Sequence, residues 1–222
     1  MSQISEPTNL GAPRVCSIAD ALDILCERWT LHVLREIGFG VHRFKDIQAN
    51  TGAPDETLSV RLRKLRENGL VERRRYSERP PRDEYVLTPA STDLSPVLAA
   101  LREWGERYVT PVDGTLSEPR VCFISDALDI VCERWTLHAL REISFGVHRF
   151  KDIQTNTGAP RETLTLRLRK LETAGLIERR QYSERPPRDE YVLTTAGRDL
   201  KPVLGALRVW GERYATPLRR AS

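Results

Sequence analysis

No stretch of this 222-residue chain approaches the roughly 18 apolar residues of a membrane-spanning helix. Its first residues, Met1-Ser2-Gln3-Ile4-Ser5-Glu6, lack the basic and apolar regions of a signal peptide. A cytoplasmic location is therefore expected, where the four cysteines are reduced by default. There is no glycine-rich phosphate loop, no nucleophile elbow and no paired metal motif. Cys16, Cys26, His32 and His42 show none of the short ligand spacings of zinc sites. These absences leave an enzyme reading without support and give no reason to expect a cofactor or a metal.

What is present is a soluble composition, 40% hydrophobic and 30% charged, with apolar material enough for a core in one or two domains. The net charge is only +4, but it is unevenly placed. Between Arg61 and Arg82, nine Arg or Lys face three Glu, a net +6. Between Arg167 and Arg188 the count is seven against three, a net +4, so the rest of the chain carries −6. Concentrated basic charge is the footprint of a nucleic-acid binder.

The two windows belong to the near-copies Pro54–Thr88 and Pro160–Thr194. Leu58, Leu62 and Leu65 fall on one face of a helix. Pro54 starts it, Asp55 and Glu56 occupy its dipole-favoured first turn, and Gly69 ends it. At about 100° per residue, Val60, Arg63 and Lys64 point away from the leucines, with Thr57, Ser59 and Arg61 on the flanks. Such a face suits a major groove, where Arg and Lys meet guanine edges or phosphates. Residues 70–76 and 83–88 read as two strands, joined by a polar turn over 77–82 that holds Pro80 and Pro81. A basic helix followed at once by a basic hairpin is the order of a winged helix-turn-helix.

The chain is a duplication. Residues 14–108 align without gaps to 120–214 at an offset of 106, with 75 of 95 positions identical. The expected organisation is therefore a first domain over 14–108, a linker over 109–119, and a second domain over 120–214. In each copy helix one is expected over about 18–28, with Ala21, Leu22, Leu25 and Trp29 as its stripe. Helices follow at 30–37 and 44–50, then the turn Thr51-Gly52-Ala53-Pro54, the basic helix, the wing, and a last helix over 95–108. The third and fourth helices are spaced as a helix-turn-helix. The fold class is mainly α with a small β wing.

This pattern resembles the HxlR family of bacterial winged helix-turn-helix regulators. The resemblance rests on Cys16 with Ala21-Leu22-Asp23, Arg28-Trp29-Thr30-Leu31, Arg43-Phe44 and Arg61-Leu62-Arg63-Lys64-Leu65. It continues through Gly69-Leu70-Val71, Pro80-Pro81-Arg82-Asp83-Glu84-Tyr85, Leu87-Thr88, Pro96-Val97-Leu98 and Trp104. It implies sequence-specific binding to double-stranded promoter DNA. Family members are usually single-domain homodimers joined through their first and last helices, whereas this chain carries two domains. An intramolecular pseudo-dimer is expected, able to associate further. The first reader is expected to use Arg43, Thr57, Ser59, Arg61, Arg63, Lys64, Arg79 and Arg82. The second is expected to use Arg149, Thr163, Thr165, Arg167, Arg169, Lys170, Arg185 and Arg188. The copies differ at Asp55/Arg161, Val60/Leu166, Arg66/Glu172 and Arg75/Gln181, which implies an imperfect palindrome as target.

In some family members the cysteine before the first helix senses oxidants or electrophiles. For Cys16 and Cys122 two readings stand: a redox sensor, or a partly buried inert thiol. Cys26 and Cys132 are expected to pack structurally. His32 is expected to be a satisfied core histidine, the other reading being a pocket near the pseudo-dimer interface. His42 is expected in solvent or near phosphate. The alternative function is a protein-interaction module that kept the winged fold without DNA binding.

Overall fold

The computed structural model describes residues 11–13, 16–27, 29–109, 123–185 and 187–221. All but Val109 of the expected linker, and Cys122, lie outside the described residues. The first half runs α1 (Ser17–Leu25), α2 (Thr30–Gly38), α3 (Phe44–Thr51), α4 (Asp55–Glu67), β1 (Val71–Glu78) and β2 (Pro81–Leu87). A one-turn α5 (Pro89–Thr92) and a long α6 (Ser95–Tyr108) complete it. The second half repeats the order as α7 (Phe123–Val131), α8 (Arg134–Ser144), α9 (Phe150–Thr157), α10 (Arg161–Thr173), β3 (Ile177–Glu184), β4 (Pro187–Leu193), α11 (Thr195–Arg198) and α12 (Lys201–Trp210). A π-helical turn (Gly211–Ala215) then leads into α13 (Thr216–Ala221).

The leucine spacing forms α4 as expected: Leu58, Leu62 and Leu65 are all buried. Gly69 closes the helix at φ 66°, letting the Leu70 N–H reach the Leu65 carbonyl at 2.8 Å. Gly52, at φ 70°, makes the tight turn from α3 into α4.

Two local expectations fail. Helix one stops at Leu25 rather than near residue 28, and Trp29 leaves its stripe to stand at φ 77°, a left-handed conformation unusual for tryptophan. No glycine or proline marks this break. A tertiary contact accompanies it, since Glu27 turns toward Arg61 and Lys64 of α4. The wing is also longer and its turn tighter than expected. Glu78 pairs with Pro81 and Ser77 with Arg82, leaving only Arg79 and Pro80 between the strands. Pro81 is tolerated because it is the first residue of an edge strand. The register shift falls between Arg75 and Ser77, and frees Tyr76.

The halves pack as the expected pseudo-dimer, through their first and last helices. The contacts come in exchanged pairs, as an isologous interface requires. The Trp104 indole N–H donates to the Ala196 carbonyl at 2.9 Å, and that of Trp210 to the Ala90 carbonyl at 2.8 Å. The Tyr108 hydroxyl donates to Asp199 at 2.5 Å, and Tyr214 to Asp93 at 2.5 Å. Arg107 and Arg213 reach the same carboxylates at 3.1 and 2.6 Å. Gly211 is required at this seam: a Cβ there would lie 2.0 Å from the Ser17 carbonyl oxygen. Helix α13, past the repeat, returns to α1, where Thr216 and Arg219 satisfy the buried Asp20 at 2.8 and 2.5 Å.

Candidate nucleic-acid interface

Helix α4 buries three leucines and leaves Ser59, Arg63, Lys64 and Arg66 exposed; α10 exposes Arg161, Leu166, Arg169 and Lys170 likewise. Thr57, Arg61, Thr163, Thr165 and Arg167 are half-buried on the flanks. The basic residues of these helices are not equally available. Arg61 and Lys64 both turn to Glu27, the lysine at 3.0 Å, and Arg167 and Lys170 repeat this with Glu133 at 3.1 Å for the lysine. Burial lowers the pKa of the Arg61 and Arg167 guanidiniums. These pairs anchor the base of each basic helix to the end of the first helix of its half. The Thr165 hydroxyl donates to the Arg161 carbonyl at 2.9 Å. Arg63 faces Glu67 at only 3.9 Å, and Arg169 has no ion pair among the described residues.

On the wings much of the basic charge is neutralised. The cations counted up to Arg82 meet two acids just beyond it. Arg73 and Arg75 bracket Asp83, the latter at 3.5 Å, and Arg74 meets Glu84 at 2.6 Å. Hydrogen bonding from Arg73 lowers the Asp83 carboxyl pKa below its ordinary value. Arg180 meets Glu190 at 2.6 Å, and Arg179 pairs with Asp189. The tip arginines Arg79, Arg82, Arg185 and Arg188 are exposed and carry no ion pair among the described residues.

Arg43 and Arg149, ahead of α3 and α9, are drawn to the wings. Their guanidiniums lie 5.3 and 5.1 Å from the ring centres of Tyr76 and Tyr182, within cation–π range. The bulge exposes those rings, which strand alternation read from the sequence could not show. Contrary to expectation, His42 is a brace. Its Nδ1 donates to the Tyr85 carbonyl at 2.9 Å, while its own carbonyl accepts from the Tyr85 N–H at 2.8 Å. Each half thus leaves exposed the open face of its basic helix, the arginine before α3 or α9, and the arginines of its wing tip. Sequence reasoning passed over Lys45 and Lys151, exposed in the first turns of α3 and α9; their position beside Phe44 and Phe150 in the helix-turn-helix was the available signal.

Cys16 is half-buried at the N-cap of α1, with the Arg141 guanidinium of the other half 3.8 Å from its sulfur. Cys26 and Cys132 are buried, as expected of packing residues. His32 combines its two readings: it is buried, and it lines a cavity between the halves with Nε2 3.5 Å from Asp129. Among the described residues, no group of three or more His, Cys, Asp or Glu is placed to hold a metal ion, and no helix is long and apolar enough to cross a membrane.

The chain is two winged helix-turn-helix domains in tandem. The HxlR-like helix-turn-helix family model matches it twice, over residues 24–113 and 130–219, and the chain belongs to that family. It is 50% identical over 98 residues to an uncharacterized HTH-type transcriptional regulator of Mycobacterium tuberculosis, covering 44% of this chain and 62% of the relative. The chain thus spans less than two thirds of that relative's length. A second such regulator, from Synechocystis, is 42% identical over 95 residues, covering 42% of this chain and 70% of its own. A solved structure from Enterococcus faecalis, described as a MarR-family transcriptional regulator, is 32% identical with a TM-score of 0.38, covering 49% of this chain and 99% of that one.

Proposed function

We propose that the protein is a sequence-specific transcriptional regulator of promoter DNA. In this reading α4 and α10 enter the major groove at neighbouring half-sites of an imperfect palindrome. The observation that carries it is the set of exposed arginines on each basic helix, ahead of α3 or α9, and at each wing tip. Arg63, Arg79 and Arg82 in one half, and Arg169, Arg185 and Arg188 in the other, are exposed beside helices whose opposite faces form the core. Base edges specify while phosphates position. Arg63 and Arg169, high on the helix faces, are the base-reading candidates, and the wing-tip arginines suit the backbone. Lys64 and Lys170 can serve DNA only by leaving Glu27 and Glu133.

Joining the halves in one chain makes their association independent of protein concentration, since a short tether supplies a local concentration in the millimolar range. Cys16 supplies sensitivity to oxidants in this reading, supported by its place at a helix N-terminus facing Arg141. Replacing Cys16 and Cys122 by Ser should then reduce the response of operator affinity to mild peroxide.

In-vitro selection of duplexes bound by the full chain tests the reading. The expected product is a two-part motif whose halves differ at a few positions, with affinity falling steeply as salt rises. No enriched motif would refute DNA reading, and a perfectly symmetric one would refute the distinct readout by the halves. Arg63→Ala should cost about 1–3 kcal/mol and relax specificity at one base pair if Arg63 reads a base.

A further inference from the structure

Cys26 and Cys132 occupy equivalent positions of the two halves, 106 residues apart, and their sulfurs lie 3.9 Å from each other. A residue that meets its own counterpart sits on the pseudo-two-fold axis, so this thiol pair marks the centre of the seam. The two thiols differ in access. Cys26 is sealed in the core, whereas Cys132 is on the wall of the cavity between the halves, about 300 Å³ in volume, beside His32, Asp129 and Lys170.

We propose that Cys26 and Cys132 form a reversible disulfide across the pseudo-two-fold axis, with peroxide entering through that cavity, and that closing it resets both DNA-reading helices. The chemistry balances as two steps. The Cys132 sulfur attacks the peroxide O–O bond, giving a sulfenic acid and releasing water from hydrogen peroxide. The Cys26 sulfur then displaces hydroxide from that sulfenic acid, its thiol proton leaves with it as a second water, and the S–S bond forms. Two thiols are oxidised and one peroxide is reduced. The hydrogen bond with the Cys132 thiol, and then burial, raise the Cys26 pKa, so Cys26 stays protonated until its proton leaves in the second step.

The coupling to DNA follows from the next residue in each copy. Glu27 follows Cys26 and holds Arg61 and Lys64 of α4; Glu133 follows Cys132 and holds Arg167 and Lys170 of α10. A disulfide needs its sulfurs about 2.05 Å apart, so closing the gap draws both segments toward the axis. The glutamates move with them, and so do the bases of both reading helices. The site is distinct from Cys16, and its effect on operator binding rests on the DNA-binding reading above.

The test uses the full chain with Cys16→Ser and Cys122→Ser. This background is needed because trypsin leaves Cys16 with Cys26, and Cys122 with Cys132, on shared peptides. After hydrogen peroxide and alkylation of free thiols, the expected products are two fewer alkylated cysteines and a linked peptide joining Cys26 to Cys132, both reversed by dithiothreitol. Operator affinity should shift at least tenfold with the link and recover on reduction. Adding Cys26→Ser should abolish the link and the shift while the reduced protein still binds. Thiols that stay alkylatable, or oxidise without linking, would overturn the disulfide. A link that leaves affinity unchanged would overturn the coupling. A reduced protein that binds no selected duplex would count against the DNA reading alone, since the linked peptide is measured without DNA.

Discussion

The two halves share 75 of 95 aligned residues, yet they part company at the buried ion pair and at the tip of the reading helix. In the second half Arg141, Glu142 and Asn156 are all sealed from solvent, with Arg141 to Glu142 at 2.9 Å and Asn156 to Glu142 at 2.9 Å. The first half makes the same bonds between Arg35, Glu36 and Asn50, at 2.8 Å each, but Asn50 is exposed and Arg35 is 8% exposed. Identical residues therefore work in different dielectric surroundings. At the reading helix the sequence itself differs. Asp55, paired with Gln48, opens α4, whereas Arg161 opens α10 and lies 5.8 Å from the Phe150 ring centre. Charge sits toward the end of the first helix, at Arg66, and toward the start of the second. In helix-turn-helix docking the N-terminal end is the part that reaches base edges. On the proposed DNA reading, the second half is the better equipped at that end, while the ion pair of the first half is the less deeply buried.

The buried pair gives the largest expected contrast. Glu142→Ala leaves the Arg141 guanidinium buried with its main partner gone, which should cost about 3–5 kcal/mol in chemical denaturation. Glu36→Ala should cost clearly less, because water can reach Arg35. Equal losses would show that the difference in burial has no energetic weight. A smaller effect is expected at the helix tips. Arg161→Asp should weaken operator binding and make its salt dependence shallower, while Asp55→Arg should strengthen binding and steepen the dependence, each by about one to two phosphate equivalents in a filter-binding titration. No change for either would remove the ends of α4 and α10 from the DNA surface.

How much of this could be read beforehand differs from feature to feature. The core face of α4 followed from leucine spacing alone, because helical periodicity is a local property. The tandem architecture followed from the repeat. The true supply of cations did not. Asp83 and Glu84 lie outside any window that ends at Arg82, and only the strand register brings them opposite Arg75 and Arg74. The anchoring of Arg61 and Lys64 by Glu27 joins residues 34 and 37 positions apart, through a turn that no glycine or proline announces. Cys26 and Cys132 could be assigned to packing, but not to each other. Contacts across a pseudo-two-fold axis depend on how two finished surfaces meet, and no periodicity within one copy encodes that.

The smallest effect is expected at the seam itself. Hydrogen bonding from the Tyr108 hydroxyl, with help from Arg107, lowers the Asp199 carboxyl pKa below the ordinary 3.8. The carboxylate is favoured in the folded state, so its contribution is present above the unfolded value and fades as pH falls through the lower folded one. An NMR titration of the Asp199 side chain should show a midpoint below 3.8 that returns to the ordinary value in Tyr108→Phe plus Arg107→Ala. A midpoint indifferent to those changes would deny that this contact grips the seam.

In a homodimer of identical chains, every codon change is written on both faces at once, so a target can drift only as a mirror image of itself. Covalent joining at this seam lifts that constraint. On the proposed DNA reading, one substitution in α4 retunes half of the target and leaves α10 as it was, and each of the twenty positions where the copies differ is a step that a symmetric ancestor could not have taken singly.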